Sequence, residues 1–242
     1  MIKPNWPAPP HVKAYVTSRQ GGVSLAPFDQ LNLGDHVGDH PAHVAANRQW
    51  LQDTLGWVRS PCWLKQVHGH HVVEATPAHL NQVADASFTD QLNQICVILT
   101  ADCLSLLVCT RGGEKVAAIH AGWRGLAAGV IESTLQALQW PATELVVWLG
   151  PAISMKHYEI GEEVRDIFLK NTPSAEHAFY PSRAKHWMMD LLHLARLRLN
   201  QWGVTEIYGG DYCTYTHKEL FYSHRRDGNK TGRMASLIWI SK

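Results

Sequence analysis

Three side chains of the kind that bind zinc stand in separate short motifs: His68 in QVHG, Cys103 in TADC and His120 in HAGWRG. Two imidazoles and one thiolate are a familiar zinc donor set, and each lies where Gly, Asp or Trp suggests that the chain turns. Three protein ligands leave one position of a tetrahedral ion open to water or substrate, which separates a catalytic zinc site from a closed structural one. The three are 35 and 17 residues apart, too far for a close pair of the CxxC or HxxxH kind, so only the fold can gather them. If it does, the chain is a metal-dependent enzyme.

Each residue alone has a plainer reading. Cys103 is first a packed thiol. Asp102 beside it shifts the balance, because a carboxylate is a poor core neighbour and can orient a ligand or serve as acid or base. His120 is equally a hydrogen-bonded structural histidine. His68 has His70 and His71 as neighbours among 15 histidines in all, most of which must be surface or structural. Trp123 and Arg124, in a Gly-rich turn opening a helix, can offer an aromatic face and a cation to a ligand. Arg225-Arg226-Asp227 is either a solvated turn or a clamp for phosphate or carboxylate, and Arg19-Gln20-Gly21-Gly22 either a glycine turn or a backbone nest for an anion.

The elements that must position these residues follow from periodicity. Val12–Ser18 alternates as a strand. Pro41 opens a helix that Gly56 ends. Residues 62–67 and 71–75 predict a hairpin around Gly69 with His68 at its tip. The runs 94–99, 104–110, 115–119 and 145–149 predict buried strands, with Cys103 in the kink between the first two. A helix starts at Leu126 and stops before Pro141, another lies near 161–169, and a longer one spans 188–202 up to Gly203. Residues 206–208 form a short strand, and 220–224 with 234–240 predict a last hairpin across the Asp227–Gly232 turn. TADC, HAGWRG, LGPAIS and SHRRDG each follow a predicted strand. That places a site on loops at strand ends, where backbone groups are free and the scaffold is rigid. These elements describe a single α+β or mixed α/β domain.

Composition narrows the partners. With 22 Lys and Arg against 21 Asp and Glu, the net charge of +1 removes the electrostatic case for nucleic acid or an anionic membrane. The apolar run from Ile95 to Cys109 is interrupted at Thr100-Ala101-Asp102 and is too short for a bilayer. The N-terminal MIKPNWPAPPHV lacks the apolar stretch of a secretory signal. Five scattered cysteines suit reduced thiols, hence a cytoplasmic setting and a small-molecule partner.

Taken together, the motifs resemble the YfiH-type laccase-domain family, also called multicopper polyphenol oxidoreductase and, more recently, purine nucleoside phosphorylase. The matching segments include TSRQGGVS (17–24), LNLG (31–34), WLKQVHG (63–69), ADAS (84–87), TADC (100–103), HAGWRG (120–125), LGPAI (149–153), YEIG (158–161), GGDYCTY (209–215) and TGRMAS (231–236). They run in order through nearly the whole chain. The resemblance implies one compact α+β domain over residues 1–242, with mixed sheets flanked by helices and a zinc or copper ion on His68, Cys103 and His120. It implies phosphorolysis of purine nucleosides (adenosine, inosine, guanosine and the methylthio analogue) and deamination of adenosine. Cys103, His68, His120 and Asp102 are then the catalytic candidates, and Arg19, Asn32, Trp123, Arg124 and Arg225 the candidate contacts to nucleoside and phosphate. Ser105 and His224 depart from residues common in the family, proline and an aromatic residue respectively.

Zinc with an open position activates water at neutral pH, and attack of that water at C6 of adenine is deamination. Phosphorolysis needs an anion held beneath the ribose, for which Arg19 or Arg225 is suited. A multicopper oxidase would need more paired imidazoles than the one His-x-His at His68–His70. A thiol hydrolase editing peptidoglycan precursors, with Cys103 as nucleophile and His120 as base, is a further alternative. A metal-binding protein without turnover is the last.

Overall fold

In the computed structural model, which describes residues 1–76 and 81–242, five strands are buried from end to end. They are β4 (Cys96–Thr100), β5 (Leu104–Thr110), β6 (Val116–Ala121), β7 (Leu145–Leu149) and β12 (Met234–Ile240). Unbroken apolar runs of this kind mark strands covered on both faces. The largest sheet has the order β11-β7-β5-β6-β3-β2, with β11 (Glu206–Gly209), β3 (Ala86–Thr89) and β2 (Val72–Glu74) completing it. Its central pairs are antiparallel and its two edge pairs parallel, so the sheet is mixed. A second, antiparallel sheet has β12 between β1 (Val12–Val16) and β4.

Side-chain alternation sorts the core into layers. Leu104, Leu106, Val108, Ile119, Val147 and Leu149 face the helices α2 (Trp123–Ala128), α3 (Val130–Leu138), α4 (Glu162–Asn171) and α5 (Leu191–Gln201). Their neighbours Leu107, Cys109, Ala118, Val146 and Trp148 face the three-stranded sheet, against Val16, Ile98 and Ile238. The far side of that sheet, with Val97, Leu99, Leu237 and Trp239, packs on Leu51 of α1 (Pro41–Leu55). A small sheet of β8 (Glu159–Gly161), β10 (His186–Met189) and β9 (Phe179–Pro181) joins the helical side through Ile160, Phe179 and Met189. The protein is thus a single α+β domain of mixed sheets flanked by helices, as expected.

Several local expectations need correction. Residues 62–75 form no hairpin: Cys62 and Lys65 make isolated parallel bridges to Cys96 and Val83, and β2 pairs in parallel with β3. Residues 220–224 form no strand either. The arginine pair sits on the single helical turn α6 (His224–Asp227), capped by the Ser223 hydroxyl, and β12 pairs with β1 and β4 instead. SHRRDG therefore follows a loop rather than a strand. The helix expected from Leu126 begins earlier and is split into α2 and α3 at left-handed Gly129 (φ 91). The long helix starts at Leu191, because Asp190 caps it and Met188–Met189 belong to β10.

Candidate active site and metal centre

Cys103 sits where the chain leaves β4 for β5 and so passes from one sheet to the other. Asp102 makes that bend in the left-handed region, at φ 84. His120 is not in a turn, as its Gly-rich surroundings suggested, but near the end of strand β6. His68 lies in a loop, itself left-handed at φ 60. Despite their separation in sequence, one ligand atom from each of the three falls within 4.8 Å of the others. Cys103 Sγ is 3.8 Å from His68 Nε2, and the two imidazoles meet edge to face with centroids 4.7 Å apart.

A residue that sequence reasoning did not single out holds this arrangement. Asp85, fully buried just before β3, accepts hydrogen bonds from the backbone N–H groups of Val67 (3.2 Å), His68 (2.9 Å) and Gly69 (2.7 Å). Its Oδ1 also lies 2.8 Å from His120 Nδ1, and its carbonyl accepts from the His120 N–H at 2.7 Å. One carboxylate therefore fixes the loop that carries His68 and the ring of His120. With Nδ1 of His120 donating to Asp85, Nε2 is left for a metal, the usual partner arrangement of a ligating histidine. The available signal was an acidic residue between the small apolar residues of VADAS, at the start of a buried strand.

The donor set fits a tetrahedral ion. Ideal zinc geometry puts N and S ligands roughly 3.3–3.6 Å apart, so the 3.8 Å Cys103–His68 pair needs only slight closure. The third wall is Gly122, where an added Cβ would lie 2.9 Å from both Cys103 Sγ and His68 Cδ2. Burial pushes the Cys103 thiol up, but facing His120 and His68 more than offset this and hold it below its ordinary value. Burial lowers His120, but the Cys103 sulfur and Asp85 more than reverse that and raise it. The thiolate is the form that binds metal. Burial instead drives Cys62 up to about 11 and Cys109 to about 12, which marks them as inert core thiols.

The centre opens into a cavity of about 480 Å³, the size of a small-molecule site. Asp102, Trp123, Arg124 and Arg225 all line it, as does Tyr158, which sequence reasoning left unassigned. Burial pushes the Tyr158 phenol well above its ordinary range, so it stays protonated. The Arg225 guanidinium lies over the Tyr158 ring at 5.1 Å and donates to the Glu159 carbonyl at 2.9 Å, while Arg124 lies 4.2 Å from the Trp123 ring centroid. Asp102 has both oxygens engaged: it accepts from the Thr214 hydroxyl (2.6 Å), the Ser223 hydroxyl (3.0 Å) and the Arg225 N–H (2.6 Å). It thereby ties the α6 segment to the bend that carries Cys103.

Two expected substrate contacts do not join this cavity. Arg19 lines a separate cleft of about 490 Å³, where it pairs with Asp29 at 3.2 Å and lies over the Tyr222 ring. Asn32 is fully buried, its amide donating to the Gly34 carbonyl and Asp39 and its oxygen accepting from the Gly34 and Arg233 N–H groups.

Residues 13–241 match the family described as multi-copper polyphenol oxidoreductase laccase. A purine nucleoside phosphorylase of Pseudomonas aeruginosa is 51% identical over 240 residues, covering 99% of this chain and 98% of that relative. The purine nucleoside phosphorylase YfiH of Escherichia coli is 46% identical over 241 residues, again covering 99% and 98%. Among solved structures, a Neisseria meningitidis protein described as DUF152 superposes with a TM-score of 0.96 at 45% identity, over 100% of this chain and 99% of that one.

Proposed function

The chain belongs to the multi-copper polyphenol oxidoreductase laccase family, and from that premise we propose that it is a zinc-dependent purine nucleoside phosphorylase that also deaminates adenosine. The observation that carries the reading is the His68–Cys103–His120 centre at the wall of a cavity lined by two aromatic rings and by guanidinium groups without carboxylate partners among the described residues. His68, Cys103 and His120 would hold the zinc ion, which when bound supplies a Lewis acid beside the substrate. The names carried by the Pseudomonas and Escherichia relatives support the nucleoside as substrate.

The chain's own residues divide the remaining work. Trp123 and Tyr158 offer π faces to a purine. In phosphorolysis a phosphate oxygen bonds to C1′ of the ribose, the C1′–N9 bond breaks, and the purine leaves and takes up a proton. Tyr158, held as a neutral phenol, donates a hydrogen bond toward the departing base. Arg124 and Arg225 support the charge that builds up on the transferring groups. Asp102 acts through position, holding the Arg225 backbone against the metal loop. None of the five cysteines is joined in a disulfide, which suits a reducing cytoplasm as the place of work. No helix of the described residues is long and apolar enough to cross a membrane.

A four-copper relay is not favoured, because one cluster of three or more candidate ligands occurs among the described residues. A metal-free thiol hydrolase has one supporting observation, the 3.8 Å Cys103–His68 contact, and alkylation of Cys103 blocked by zinc but not by substrate separates the two readings. The test of the main reading is release of hypoxanthine from inosine by zinc-loaded protein. Release that requires phosphate, and is lost in Cys103→Ala, is expected; no release from clean, zinc-loaded protein overturns it.

A further inference from the structure

Three guanidinium groups line the metal cavity, those of Arg124, Arg225 and Arg233, and among the described residues none forms an ion pair with a carboxylate. Most of the other arginines do: Arg48, Arg183 and Arg198, for example, lie 3.3, 2.9 and 3.1 Å from carboxylate oxygens. Arg124 and Arg225 each lie over an aromatic ring. Arg233 differs from both. Its Nη1 donates to the Thr231 and Gly232 carbonyls at 2.8 and 3.0 Å, which leaves Nε and Nη2 without a partner among the described residues. A half-buried fork without a counter-ion, aimed into a cavity, is suited to a tetrahedral oxyanion.

The LNLG segment is built around this arginine. Asn32 Oδ1 accepts the Arg233 N–H at 2.9 Å and the Gly34 N–H at 2.9 Å, and Nδ2 closes the loop onto the Gly34 carbonyl at 3.0 Å. A Cβ at Gly34 would lie 2.8 Å from Arg233 Cγ and 3.2 Å from its Cβ, so only glycine lets the loop close on the stem of that side chain. Two segments 201 positions apart thus serve one guanidinium.

We propose that Arg233 is the anchor for the inorganic phosphate co-substrate beside the metal centre, and that Asn32 and Gly34 are positioning residues that aim it. The assignment rests on the phosphorylase reading, and direct binding separates the two. Calorimetric titration of the zinc-loaded full chain with inorganic phosphate gives the affinity without turnover. Arg233→Met weakens phosphate at least tenfold with zinc content and melting midpoint unchanged. Arg233→Lys, which keeps the charge but not the fork, falls between and covers the case in which the first variant misfolds. Gly34→Ala raises KM for phosphate several-fold while KM for inosine stays, a split that general destabilisation does not produce.

Wild-type phosphate affinity in Arg233→Met overturns the inference, whether or not the enzyme phosphorolyses inosine. Arg233-dependent phosphate binding without any nucleoside cleavage keeps the inference and overturns the phosphorylase reading. Absence of phosphate binding to the wild type overturns both. Arg233 dependence seen only with a nucleoside 5′-monophosphate overturns the assignment to the free co-substrate.

Discussion

Asp85 accepts from four N–H groups at once, three of them backbone donors in the His68 loop and one on the His120 ring. Each oxygen accepts two of these donors, so an amide at this position would turn its NH2 toward two of them and lose both contacts. Asp85→Asn is therefore expected to lower zinc affinity by roughly 10–100-fold, the usual cost of losing such a partner, as read by competition with a chromophoric chelator. Gly122→Ala tests the same centre from the other side, because its Cβ would stand 2.9 Å from two ligand side chains. Purified Gly122→Ala carrying a full equivalent of zinc by elemental analysis would contradict the placement of the ion. At this scale the sequence disclosed the three side chains that the fold gathers, since His and Cys advertise their chemistry. It did not disclose Asp85, whose role depends on donors 16 to 18 residues away in one direction and a ring 35 residues away in the other.

The elements that could be read from sequence are those whose ends carry their own chemistry. Helix α1 runs from Pro41 to Leu55, with His40 capping one end and left-handed Gly56 the other, so local residues define both bounds. The hairpin expected around Gly69 failed because its partners are distant: β2 finds β3, and residues 62–65 bridge to 83 and 96. The loop before α1 is held by a carboxylate. Asp39 accepts from the Ser24 hydroxyl at 2.6 Å, Asn32 Nδ2 at 2.9 Å and the His40 N–H at 2.7 Å. Burial pushes its pKa up, but these hydrogen bonds more than compensate and hold it below the ordinary value of 3.8. The stability it contributes is then fully present above that ordinary value and is lost as pH falls through the lower folded one. Asp39→Asn should be less stable than wild type near neutrality, with a gap that narrows below about pH 4. Urea unfolding at both pH values checks this, and a gap independent of pH counts against it.

At the scale of the whole molecule, the order of sheets was not legible, although most of the strands were. The buried runs 94–99 and 104–110 look alike as sequence, yet β4 and β5 enter different sheets because the chain turns at Asp102 between them. That layering gives the two sheets a shared interface. Leu107, fully buried between them, should cost about 2–5 kcal/mol when cut to alanine, seen as a lower denaturation midpoint with zinc content retained. A Leu107→Ala protein as stable as wild type would mean that the sheets do not rely on this contact. The order β1-β12-β4 has a temporal side as well. A ribosome delivers β1 first and β4 well before β12, so both emerge with bare edges on the flanks of a gap that the newest strand must fill. Until β12 arrives, the growing chain holds neither its closed core nor Arg233, and such half-made sheets are natural clients for chaperones.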